Sequence, residues 1–189
     1  MLQTNPKDFT ALFETFSIGL TNRIISVRQI IDWADAIIEH DAEPDDFIIE
    51  LAMCGQDNIN GLISLLTAYV GEAKSWVAGH ATLGLLHHTY TAGKVNFYRV
   101  VQTMDWLATH DQVSEEECRL LYGIDDIYSM AVEGVHGSVD TIANFVAHLL
   151  AFYQDFRLDN ATQWAEIDAA LDLKQESFYQ QMQSLYPYL

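Results

Sequence analysis

Seven histidines, two cysteines and 27 carboxylates are the groups in this chain able to do chemistry, and their spacing decides which chemistry. His80 and His87 fall on one face of a helix-forming run, between Trp76, Leu83 and Tyr90. Seven residues of helix rise ~10 Å, too far for both imidazoles to ligate one metal directly. His87 and His88 are adjacent and point about 100° apart. The expectation is one or two core or half-buried histidines whose ring nitrogens are met by backbone groups. Glu133 and His136 have the Glu-x-x-His spacing of di-iron carboxylate bundles, but that chemistry needs a second such pair, which the chain lacks. There is no Gly-x-Ser-x-Gly elbow, no Ser-x-x-Lys, no phosphate-cradling glycine loop and no Asp-x-Asp-x-Asp-Gly calcium loop. Cys54 and Cys118 lie far apart without metal-type spacing or a histidine close in sequence, and read as buried free thiols of a reducing compartment. No catalytic residue, metal or cofactor is expected, and the balance leans away from an enzyme.

The carboxylates are more informative. Between Arg28 and Lys74 the chain carries ten acidic side chains and not one Lys or Arg. Trp33, Ile37, Ile38, Phe47, Ile48, Leu51, Leu62 and Leu66 are interleaved with them, and such apolar groups need a core to enter. The stretch therefore reads as folded helices with a negative outer surface. Asp32, Asp35 and Glu39 recur on one helix face, and Asp41, Glu43, Asp45 and Asp46 surround Pro44. These seven are the candidate partner-binding residues. A second group gathers Asp111 with Glu115, Glu116 and Glu117. The net charge of -18 repels nucleic acid and anionic lipid and favours a basic protein partner.

Elements that position these groups are marked by caps and stripes. Asn5-Pro6 starts a helix to about Leu20, and Ser26 with Gln29 makes a capping box that opens another to about His40. Asp45 and Asp46 lead a short helix to Gly55, Asp57 or Asn58 starts one ending near Gly71, and Ser75 begins one to Ala92. Further helices are expected over Val95 to His110, from Ser114 to Gly134, from Ser138 past Phe152, and from about Asn160 to Leu185. The Ser114 helix should expose Glu115, Glu116 and Glu117, and the Ser138 helix, with its wide apolar stripe, should be central. Gly79 and Gly84 should permit close helix packing, and the aromatic tail Tyr186-Pro187-Tyr188-Leu189 should fold back on the surface. The sum is an all-α protein: one domain, 1–189, built as a compact orthogonal or up-down bundle of about nine short-to-medium helices. Met1-Leu2-Gln3-Thr4-Asn5-Pro6-Lys7-Asp8 lacks the pattern of a secretory signal, no apolar run reaches ~20 residues, and the cytoplasm is the simplest location.

Ser26-Val27-Arg28-Gln29-Ile30-Ile31-Asp32-Trp33-Ala34-Asp35, continuing through Pro44 to Ile49-Glu50-Leu51-Ala52 and Ile63-Ser64-Leu65-Leu66, resembles a segment of small acidic helical proteins encoded beside bacterial polymorphic toxins. In those proteins a Trp-Ala helix precedes a Pro-containing turn and a Leu-rich helix pair. The resemblance covers about residues 26–70 and implies an immunity function: a cytoplasmic protein that blocks a cognate toxin domain without catalysis of its own. Three readings follow. The leading one is a non-catalytic protein that sequesters a basic protein partner, most concretely such an immunity protein. The alternative is a helical-bundle enzyme or a small-ligand or metal-binding protein with an inter-helix site around His80, His87 or His148. A homodimeric structural protein is the third.

Overall fold

The computed structural model describes residues 5–55, 57–71 and 76–187. Ser75, the amino-terminal Met1 to Thr4, and the tail residues Tyr188 and Leu189 lie outside them. Among the described residues the chain is all-α, with no strand, and no helix is long and apolar enough to cross a membrane. The helices group into two compact units, 1–73 and 74–189.

The first unit holds α1 (Thr10–Thr21), α2 (Val27–His40), α3 (Asp46–Ala52) and α4 (Ile59–Val70), with a short 3-10 turn (Pro6–Phe9) ahead of α1. The expected starts are all made by side chains. Asn5 accepts from the Lys7 amide, Ser26 and Gln29 close a capping box, Asp45 accepts from the Phe47 amide and Asn58 from the Gly61 amide. Each such cap stabilises its helix by roughly 1 kcal/mol. α1 packs on α4 and α2 on α3. Phe13, wholly buried, is the hub, with edge-on contacts to Trp33 (5.7 Å), Phe47 (5.1 Å) and Tyr69 (5.5 Å). Phe47 in turn stacks on Tyr69 at 3.9 Å. One ring from each helix thus meets in one cluster, and edge-to-face pairs are each worth about 0.5–1.5 kcal/mol beyond the area they bury.

The second unit holds α5 (Trp76–Thr91), α6 (Phe97–Thr109), α7 (Glu115–Leu121), α8 (Ile124–Val132), α9 (Val139–Phe152) and α10 (Trp164–Leu185), with a 3-10 stretch (Leu158–Gln163) leading into α10. The helix expected from Ser114 to Gly134 is two. Tyr122 turns extended and Gly123 takes φ 77°, a left-handed conformation that ends α7 and lets α8 leave in a new direction. The central helix is α5, not the Ser138 helix. Every residue from Ala78 to Leu86 is buried, whereas α9 keeps one buried stripe and exposes His148. Small residues explain this. A Cβ on Gly79 would stand 1.8 Å from the Gln112 carbonyl oxygen, and one on Gly84 would stand 2.5 Å from that of Tyr153. Neighbouring backbone closes on α5 from two sides, as the glycine positions led us to expect. At the carboxy-terminal end Tyr186 folds back, its hydroxyl 2.7 Å from His148 Nδ1 and its ring edge-on to Phe145.

Because the atom facing Gly79 is backbone, it cannot rotate away. Gly79→Ala is expected to destabilise the protein by about 1–3 kcal/mol despite the higher helix propensity of alanine. Urea unfolding of the two proteins, with an unchanged or raised midpoint for the variant, would refute that packing.

Candidate functional site

The seven acidic residues singled out from sequence all lie in the first unit, on α2, α3 and the turn joining them. Asp32, Asp35, Glu39, Glu43, Asp45 and Asp46 are exposed and Asp41 is half-buried. Two of them also serve the local fold. Asp45 caps α3 through the Phe47 amide (2.9 Å), and Asp41 Oδ1 accepts from the Glu43 amide (3.1 Å), closing the turn before Pro44. Asp32 is paired with Arg28 one turn earlier at 2.6 Å, an exposed contact worth at most a few tenths of a kcal/mol. The remaining carboxylates of this face have no Lys or Arg within residues 29–71 to answer them. Among the described residues of this unit the exposed large apolar side chains are Met53 and Ile59; its half-buried Trp33 and Tyr69 face the Phe13 cluster.

His80, His87 and His148 each have separate surroundings. His87 is half-buried with its ring against His88, and burial followed by the neighbouring His88 lowers its pKa. His148 is exposed beside Tyr186. Backbone meets three other rings: the half-buried His88 through Nε2 at the Gln154 carbonyl, and the exposed His40 and His110 through Nδ1 at the Ala36 and Trp106 carbonyls. The two thiols are half-buried rather than buried, and burial, then Asp111, raises the pKa of Cys118 above the ordinary thiol value.

His80 is the exception. It is 3% exposed and its partners are carboxylates rather than backbone. Nδ1–H donates to Asp168 Oδ1 on α10 at 2.5 Å, and Nε2–H points at both oxygens of Glu117 on α7, at 2.8 and 3.0 Å. Glu117 is 1% exposed, so the expectation that it faces solvent with Glu115 and Glu116 is corrected. Its capping-box role holds: Oε2 accepts from the Ser114 amide at 2.7 Å. The box itself turns the carboxylate back toward Ser114 and thus into the interior. Oε1 accepts from the hydroxyl of Tyr153, the residue that caps the end of α9, and Tyr179 joins the network through Tyr153 and Ser114 while accepting from Gln175 Nε2 at 2.6 Å. Three helices and the residue capping a fourth thus deliver one polar cluster into an apolar interior.

Burial alone would drive the proton off His80, but the bonds to Asp168 and Glu117 outweigh it and raise its pKa from 6.5 to about 9. Burial alone would also raise Glu117, yet the His80, Tyr153 and Ser114 hydrogen bonds hold it near 2. Burial and the Glu117 charge push Tyr153 well above the ordinary phenol range. As an imidazolium with both N–H groups given to carboxylates, His80 has no lone pair to offer as base, nucleophile or metal ligand. The arrangement is a tie between helices. No sequence signal joins His80 to partners 37 and 88 residues away; the one local hint was a glutamate at the third position of a capping box.

Comparison with protein-family models, with curated proteins and with solved structures finds no match for this chain.

The tie has a pH signature. His80 is raised, so its contribution is complete below about pH 6.5 and is lost as pH climbs through about 9. Glu117 is depressed, so its contribution is complete above about pH 4.5 and is lost as pH falls through about 2. His80→Gln removes the cation between two carboxylates and is expected to cost about 3 kcal/mol or more. Chemical denaturation at about pH 6 and about pH 9.5 checks both points. The natural protein should weaken over that interval, and a variant that weakens as much would show that His80 is not the titrating group.

Proposed function

We propose that this chain is a non-catalytic binding protein whose acidic face, on residues 32–50, captures and masks the basic surface of a protein partner. The observation that carries the reading is one-sided charge on ordered structure. Asp32, Asp35, Glu39, Glu43, Asp46 and Glu50 are exposed on packed helices and the turn joining them, and residues 29–71 contain no Lys or Arg. Residues 1–73 carry twelve acidic side chains against three basic ones, so any approaching molecule meets a negative field. A cationic protein is steered in by such a field, with association faster by ~10–10³, while nucleic acid and anionic membranes are repelled.

The most concrete form is an immunity protein, in line with the resemblance over residues 26–70. Its mechanism is steric: carboxylates on a rigid scaffold occupy the site where a nuclease-type toxin domain takes phosphates, and the toxin's own basic groups hold the inhibitor in place. No proton transfer or covalent step is required of this chain. Such a role places it in the cytoplasm, where the toxin would act.

The product of the gene neighbouring this chain's own is the test partner. Reversing Asp35, Glu39, Glu43 and Asp46 together spares Asp41 and Asp45, which hold the turn and the α3 cap. Stopped-flow association should slow about tenfold at low ionic strength, and its salt dependence should flatten. Unchanged association kinetics, or two proteins that stay apart at low salt, would sink the reading.

A further inference from the structure

Helix α3 has a second face that its own core does not use. Phe47, Ile48 and Leu51 point into the first unit and are buried. Asp46, Ile49, Glu50 and Met53, spaced i, i+3, i+4 and i+7, share the opposite face and line an open groove of about 500 Å³. Leu65, half-buried on α4, closes its far side. Within this face the acids and the apolar groups form two parallel rows. Asp46 and Glu50 stand one turn apart in one row, and Ile49 and Met53 stand one turn apart in the other. Met53 is 80% exposed, more than any other large apolar side chain among the described residues of this unit.

We infer that this groove receives an amphipathic, cationic helical segment of the protein partner, laid along α3 with Leu-like side chains on Ile49, Met53 and Leu65 and Lys or Arg on Asp46 and Glu50. The inference rests on the reading under Proposed function and names the contact by which it acts. Charge complementarity selects the occupant. Residues one turn apart on a helix rise about 6 Å, so a partner helix with its own i, i+4 rows presents the same repeat to both rows of α3. A nucleic acid or anionic lipid headgroup would bring negative charge onto Asp46 and Glu50. A second copy related by a two-fold axis would face those same carboxylates with themselves. A small molecule would remain largely in solvent, because the groove is open rather than enclosing. Flexible thioethers such as Met53 suit a surface that adapts to an incoming apolar face.

A fluorescent synthetic Leu/Lys amphipathic helix is the probe, with two companions: one with every Lys replaced by Gln, one with every Leu replaced by Ser. Binding to the full chain is read by anisotropy at low and moderate salt. The parent peptide should bind, and both companions should bind at least ~10-fold more weakly, since each lacks one of the two rows. Met53→Ser and Glu50→Gln change exposed side chains, so folding is preserved and circular dichroism confirms it. Each should weaken the parent peptide ~10-fold, whereas Glu166→Gln on α10 should leave it unchanged. Natural affinity in both groove variants overturns the inference. If affinity then falls on neutralising Asp32, Asp35 and Glu39 instead, the groove is wrong but the acidic binding face stands. If no cationic peptide binds even at low salt, the functional reading falls together with the groove. A dimer on sizing chromatography that Met53→Ser disperses would assign the groove to a second copy and equally overturn the inference.

Discussion

Burying an ion is expensive, and the second unit buries two in one place, with a half-buried third, Asp168, against them. An isolated carboxylate or imidazolium in an apolar interior costs several kcal/mol, so such a group persists only when every lone pair and every N–H is answered. Around His80 that condition is met. Glu117 is met on both oxygens, by imidazole, phenol and backbone amide, and His80 places one N–H on each of two carboxylates. The groups come from α5, α7, α10 and Tyr153 at the end of α9, so the bond lengths hold only if all four helices keep their places. Apolar packing alone tolerates small slides and rotations. A fully satisfied polar cluster does not, because any slide leaves an ion unpaired. The close approach of backbone to Gly79 and Gly84 follows from the same demand, since a bulkier α5 would hold its neighbours too far away to meet His80.

Carboxylates therefore serve two opposite purposes in one chain. Glu115 and Glu116 are exposed while Glu117, next in line, is wholly buried. The difference is angular: about 100° per residue separates a solvated position from one that points back along the helix start into the core. On the first unit the balance is reversed. There the aromatic cluster around Phe13 supplies the cohesion, and Asp32, Asp35, Glu39, Glu43, Asp45, Asp46 and Glu50 stand exposed at the surface. A rigid apolar hub under an acidic skin is what electrostatic capture requires, because a disordered acidic segment would lose ordering entropy on every encounter.

Much of the helical layout was readable in advance. The capping boxes at Ser26 and Ser114 and the caps at Asn5, Asp45 and Asn58 all stand where the sequence signals place them. Helix ends are settled by hydrogen bonds between residues two or three apart, so the signal and the structure share one local cause. The break at Gly123 was missed because the apolar pattern runs on across it, and periodicity reports which face is buried without reporting a change in axis direction. Placing α9 at the centre instead of α5 has a related origin. A wide stripe of large side chains looks central, whereas the position between other helices goes to the helix small enough to be surrounded.

By itself the sequence determined the all-α class, the capped starts at Asn5, Ser26, Asp45, Asn58 and Ser114, the helix-packing glycines of α5 and the acidic stretch from Asp32 to Glu50. All of these depend on residue type and short spacing. Tertiary structure alone decided that His80 would be a charged tie rather than a backbone-satisfied ring, that Glu117 would be buried, and that α3 would turn a mixed face of Asp46, Ile49, Glu50 and Met53 outward. Those outcomes hang on which distant segments come within a few ångströms of one another. Packing of the whole unit sets that proximity, and no window of neighbouring residues contains it.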